Sequence, residues 1–209
     1  MIDTTHFHSP PPIALGDQLA LDFLNSVAAP QGEVHDWIRS GPDLLAWLEA
    51  FSAITAQDAE TVRSTWDHAT LDGVAKAAVA WREQLRSLVQ RIAAEGLSAV
   101  KQEDRQAINR WLDADHSHTR LDEASGSAYE VVRHRIWRDP AQIMAPVALA
   151  AAEMIAAANW ALIRKCENPA CTIWFQDRTK GHRRRWCSQA LCGNRFKVAA
   201  FRDRQKGRA

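Results

Sequence analysis

The sequence has no run of 18 apolar residues, which argues against a transmembrane helix. Its most apolar stretch, Ile143 to Ile163, is interrupted by Glu153 and Asn159 and reads as a packed helix. The first residues, MIDTTHFHSPPPIALGDQ, lack a basic segment followed by an apolar one. No secretory signal is therefore expected, and Pro10–Pro12 read as an extended lead-in. There is no Gly-rich phosphate loop, no metal-hydrolase histidine pattern and no nucleophile elbow. The only catalytic-looking feature is a pair of histidines, His116 and His118, flanking Ser117, which is too little for a site. No internal repeat is visible. Cysteine is scarce, with four in 209 residues, and no C-x-x-C is present. Together these absences point to a cytoplasmic, membrane-free protein in which a disulfide framework is not expected.

The composition is ordinary: 46% hydrophobic and 24% charged. The length suits one domain plus a small second one. The net charge of +1 hides a division. Residues Ala161 to Ala209 hold thirteen of the 26 basic residues and three of the 25 acidic ones, a balance of +10. The first 160 residues carry 13 basic and 22 acidic residues, a balance of −9. A basic tail on an acidic body suggests a polyanionic partner, although a solvated basic face gives the same count.

Apolar periodicity predicts a mainly α fold with a small β-hairpin. Leu15–Val27 reads as a helix with Leu19, Phe23 and Leu24 on one face. A second helix starts at Ser40-Gly41-Pro42 with Leu44, Leu45, Leu48 and Phe51 inward. Ala56–Gly73 is helical or turn-rich. Val74–Ala94 keeps a 3.6 period and stops at Gly96. Asp104–Leu112 is another helix. His118–Ile136 alternates around Ser125-Gly126-Ser127 and predicts the hairpin. Asp139-Pro140-Ala141-Gln142 resembles a capped helix start, with the helix running to about Trp160 and a restart at Pro146. A boundary near Arg164 divides a helical domain, 1–163, from a small C-terminal module, 164–209.

All four cysteines fall in that module as Cys166, Cys171, Cys187 and Cys192, spaced C-x4-C-x15-C-x4-C. Two pairs, each on a tight turn, can supply a tetrahedral set of thiolates to one Zn²⁺. Four buried thiols or a redox pair are the alternatives, and His182 can replace one ligand. Four thiolates leave no open position for a catalytic water, so such a metal is structural. TIWFQ and RRRWC fit two strands joined at Thr179-Lys180-Gly181, and Ser188 suits an N-cap. Knuckle, hairpin and helix make a treble-clef-like module. Trp174, Phe175 and Trp186 are expected in its core.

A helix from Ser188 to Lys206 would place Arg195, Arg202 and Lys206 on one side and Lys197, Arg204 and Arg208 on another. Phe196 and Ala200 would lie between, facing the metal. Arg183, Arg184 and Arg185 add a basic cluster upstream. These features point to phosphate or base contacts on double-stranded DNA, by Arg183, Arg184, Arg185, Arg195, Lys197, Arg202 and Arg204. Arg195, beside Cys192, can instead hydrogen-bond inside the module.

The run CENPAC…WFQDRTKGHRRRWCSQALCGNRFKVAAFRDR resembles the CGNR zinc finger, named for Cys192-Gly193-Asn194-Arg195 here. LGDQLALDFLNSV resembles the opening motif of the ABATE-type helical domain that precedes this finger, with Asp22 and Asn25 at its polar positions. The resemblance implies a bacterial, stress-related transcription regulator whose finger binds DNA. Where the family carries Asp, Ser and a basic residue, this chain has Asp177-Arg178-Thr179-Lys180, keeping the hydroxyl and the charge. The large domain would then sense a small-molecule effector or pair two protomers. Asp22 and Asn25, three apart on an apolar helix, read either as core or cap groups or as the polar end of a ligand pocket that Arg82 and Arg86 could meet, with a structural ion pair or exposed arginines as the plain alternative. RNA binding by the same finger and an enzyme in the large domain are the alternatives.

Overall fold

The computed structural model describes residues 11–29, 33–124, 126 and 128–198. Its spine is α4, His68–Glu95, a 28-residue helix. Helix α4 begins six residues earlier than its apolar period suggests, because Asp67 caps it by accepting from the Thr70 N–H at 2.8 Å. Around it lie α1 (Leu19–Leu24), α2 (Gly41–Ala50) and α5 (Gln102–Asp113), and α3 (Ala56–Thr65) packs on α2. The segment 56–73, ambiguous in sequence, is therefore two helices broken at Trp66-Asp67. Helix α3 carries a capping box between Thr55 and Asp58.

Helix α1 is shorter than expected and is buried on every side. Ala20, Leu21, Phe23 and Leu24 are all fully buried, as a helix wedged between α4 and α6 (Ala145–Ala157) requires. It starts late because the Gly16 N–H is taken by the Asp22 carboxylate, which holds residues 16–18 in a non-helical approach. It is followed by β1 (Val27–Ala28), which pairs antiparallel with β2 (His35–Asp36), a ribbon too short to be read from alternation. Phe23 packs against Trp47 and Trp81, and Trp81 meets Trp111 with ring centroids 5.8 Å apart. These tryptophans are core.

The hairpin is present as β3 (Ser117–Ala124) and β4 (Ala128–Arg135). Asp139 and Gln142 form the expected capping box, but the turn they open is a 3-10 turn, Pro140–Met144, before α6 proper. Pro140–Ala157 has a mean hydropathy of 1.4 and is long and apolar enough to cross a membrane, correcting the reading from uninterrupted apolar runs. Here it is a core helix. Ile143, Met144, Val147, Ala148, Ala151 and Met154 are buried, against α1 and α5 among others.

The chain ends its described course in β5 (Ile163–Lys165), β6 (Trp174–Gln176), and a π-helical turn, Gln189–Gly193, that runs on helically to Val198. The predicted pairing of TIWFQ with RRRWC is corrected: β6 pairs antiparallel with β5 instead. The Arg184 N–H is not free for a ladder, because the Asp177 carboxylate accepts it at 2.8 Å. A single buried core joins both parts of the chain, with Phe175 and Ile173 in contact with the helical cluster.

Candidate metal centre and nucleic-acid interface

Three local devices bring the cysteines together. Asn168-Pro169 turns the chain so that the Cys171 N–H donates to the Asn168 carbonyl at 2.8 Å. The β5–β6 ribbon flanks the first pair, β5 ending just before Cys166 and β6 beginning after Cys171, with the Cys166 N–H bonded to the Ile173 carbonyl. Ser188 caps the π turn through Leu191 N–H and carries Cys192 back over Cys187. The predicted N-cap is thus present, although the turn it opens is wider than an α-helix.

The four sulfurs lie within 4.8 Å of one another, all buried. Cys171 and Cys187 Sγ are 3.8 Å apart, and Cys187 and Cys192 are 3.5 Å apart. Four thiolates at about 2.3 Å from one zinc stand about 3.8 Å from each other. The residues present therefore fit the metal. None of the four is in a disulfide. As thiols alone, sulfurs this close share protons. Hydrogen bonds from the Cys171 and Cys187 thiols draw Cys166 down, while donating to Cys166 pushes Cys171 and Cys187 up. A dication removes that conflict by replacing the protons. Asn168 Nδ2 donates to Cys192 Sγ and the Cys187 N–H to Cys166 Sγ, both at 3.4 Å, so two of the sulfurs have fixed donors behind them.

The basic residues sort by what they touch. Arg184, expected among the DNA contacts, makes contacts within the protein. Its guanidinium lies over the Phe175 ring, 4.3 Å from the centroid. It donates to the Asp17 carboxylate and to the Trp186 and Cys187 carbonyls. Arg185 is exposed but pairs with Glu167 at 2.6 Å and sits over Trp186. Arg183 and Lys197 are exposed and have no ion pair among the described residues, and Arg195 is exposed. Arg202 and Arg204 lie outside the described residues, as do Ala200, Lys206 and Arg208. Phe196, expected to face the metal, is 43% exposed and packs on Trp186 instead, ring centroids 4.7 Å apart. Trp174 and Phe175 are buried as predicted, and Trp186 is half-buried. A concave surface of about 350 Å³ is lined by Thr179, Arg183, Arg184, Arg185, Trp186 and Gln189.

Sequence reasoning named Asp177 only as part of the family segment and missed its role. This carboxylate is fully buried. Burial pushes its pKa up, but hydrogen bonds from the Thr179 hydroxyl and from the Arg184 and Thr179 N–H groups, with the Arg164 charge, outweigh that and hold it low. The Thr179 hydroxyl kept in the DRTK segment is one of these donors, at 2.6 Å. Asp177 thus closes the loop that displays Arg178, Lys180 and Arg183. A lone acid inside a basic run was the available signal.

The candidate pocket does not assemble. Asn25 Nδ2 donates to the Trp174 carbonyl at 2.8 Å, and the Trp174 N–H donates to Asn25 Oδ1 at 3.0 Å. Arg82 grips Asp36 with two bonds and Ser26 with another. Arg86 donates to the Leu24 carbonyl. Asp22 holds the Gly16 N–H. Short polar side chains on an otherwise apolar helix served packing between segments.

Residues 163–205 match the CGNR zinc finger family, and residues 17–158 match the ABATE family, described as "Putative stress-induced transcription regulator". The chain belongs to the ABATE family. No curated protein matches it. In this ABATE protein the Cys166, Cys171, Cys187 and Cys192 site is one structural zinc centre, and the chain is a zinc-binding protein of regulatory type. Neither matched family is an enzyme family.

Proposed function

We propose that this ABATE protein is a cytoplasmic, zinc-dependent transcription regulator that binds double-stranded DNA through its finger. The observation that supports this is the sorting of the finger's cations. Arg184 holds the module together, while Arg178, Lys180, Arg183, Arg195 and Lys197 are exposed, and Arg183 lines a concavity with Arg184 and Arg185. Side chains of this kind suit phosphate contact, with the zinc fixing the loop and turn that carry them. Arg202 and Arg204 extend the same basic run in sequence. The −9 balance of the first 160 residues keeps the rest of the chain off the polyanion. The large domain supplies effector sensing or pairing of two protomers. Its boundary with the finger is placed at 163–164.

Binding of the zinc-loaded chain to duplex DNA from its own promoter region, over several salt concentrations, tests the reading. Arg183→Ala and Lys197→Ala should each weaken binding across sequences and lower the salt slope by about one unit. The Arg202→Ala/Arg204→Ala pair should do the same, by about two. Equal affinity in all of these variants, with zinc retained, would remove the finger from the interface. Tighter binding to single-stranded RNA than to duplex DNA would move the reading to the RNA alternative.

A further inference from the structure

The seam between the helical domain and the finger contains a cavity of about 180 Å³. From the helical domain it is lined by Val27, Arg86 and Gln90, and from the finger by Lys165, Thr172 and Trp174, with no acidic residue among its described lining groups. Both walls are fixed. Trp174 is clamped through its backbone by Asn25, and the Ala29 N–H donates to Thr172 Oγ1 at 3.2 Å. Arg86 is held in place by its Nη2 bond to the Leu24 carbonyl and its Nε bond to Glu83, at 2.5 and 2.8 Å. Its Nη1 makes no hydrogen bond among the described residues, and neither does the Lys165 ammonium or the Gln90 amide. Two cations thus border one small cavity without a counter-ion in its lining, against an apolar wall of Val27 and Trp174.

We propose that this seam binds a small organic monocarboxylate with a compact apolar body. The carboxylate meets Lys165 and Arg86 Nη1, with the Gln90 amide as an added donor. The apolar body lies on Val27 and Trp174. The volume is below the roughly 300 Å³ at which pockets for drug-sized ligands begin, so the ligand is small. An inorganic anion would leave the apolar wall uncovered, and a neutral ligand would leave Lys165 without a counter-charge among the described residues and Arg86, already paired with Glu83, with its Nη1 unused. The occupant touches α4 on one side and the zinc module on the other, so its binding biases how the finger is held. The inference deepens the regulator reading by naming its effector class.

Benzoate is a suitable probe, titrated by calorimetry into the zinc-loaded full chain with no DNA present. Failure of DNA binding therefore leaves this result untouched, and the reverse. Saturable one-site binding is expected, weakened about tenfold or more by Lys165→Glu and by Gln90→Glu. Both positions are exposed, and each variant is checked for zinc content and helicity. Benzamide and inorganic phosphate should bind more weakly than benzoate. No saturation by about 10 mM benzoate, wild-type affinity in both variants, or equal binding of phosphate or benzamide would each overturn the proposal.

Discussion

At the scale of single residues, the buried amide of Asn25 fixes how the finger is attached. Asn25 is 2% exposed and satisfies both backbone groups of Trp174. Asn25→Ala leaves a buried N–H and a buried C=O without partners, and should cost about 2–4 kcal/mol in urea unfolding. Asn25→Asp keeps the acceptor and loses the donor, so its cost should be intermediate when the protein is folded near neutral pH. Asp22 makes a different prediction. Burial pushes its carboxyl up to about 7, against an ordinary value of 3.8. The folded state therefore binds more protons than the unfolded chain between those values. Stability from this group is complete below the lower value and is lost as pH rises through about 7, by about 4 kcal/mol at most. Asp22→Asn removes the titration. The stability of the variant relative to wild type should rise between pH 5 and 8, and a constant difference would show that the carboxyl ionises in place without penalty. The zinc thiolates titrate in both proteins and cancel in the comparison.

At the scale of elements, two glycines on neighbouring helices should respond in opposite senses. A Cβ at Gly41, the first residue of α2, would lie 2.4 Å from the Leu71 Cβ and 2.6 Å from its backbone carbon on α4. Gly41→Ala must push α2 and α4 apart, and should destabilise by about 1–3 kcal/mol. A Cβ at Gly73, inside α4, would meet nothing within 4 Å. Gly73→Ala should stabilise by about 0.5–1 kcal/mol in thermal unfolding, because alanine loses less backbone freedom in the helix. The elements themselves were legible where local chemistry repeats: the period of α4, the Asp139 capping box and the alternation of β3 and β4. The cysteine cluster was legible because four ligands in a 27-residue stretch leave few other uses. The β5–β6 pairing and the role of Asp177 were not. Both depend on which distant backbone group claims an N–H, and residue type does not record that. Asn25 and Arg82 carried a true signal, polarity on an apolar face, but a ligand pocket and an internal strut require the same residue types.

At the scale of the molecule, the two family segments meet across more than a linker. The Gln176 N–H donates to the Gly16 carbonyl at 2.9 Å and the Asp177 N–H to the Leu162 carbonyl at 2.7 Å. Arg184 reaches back to Asp17, and Asn25 holds Trp174. The buried cluster runs from α1 through Trp174 and Phe175 to the four cysteines without a break. The boundary near Arg164 on its own would suggest two parts that fold separately. The shared core leads to another expectation, that zinc and the helical domain stabilise one another. The metal contributes most of what folds a small thiolate module. Its loss should free β6 from α1, expose the otherwise buried face of Ala20, Leu21 and Leu24, and leave the Asp17 carboxylate without its partner. Removal of zinc with a strong chelator should therefore lower the main thermal transition by about 10 °C or more, measured by circular dichroism at the helical band. A chain ending at Ile163 should melt near that lower temperature in either the presence or absence of zinc. An unchanged helical transition after chelation, with the finger alone unfolding, would instead show two parts that fold independently and touch without coupling.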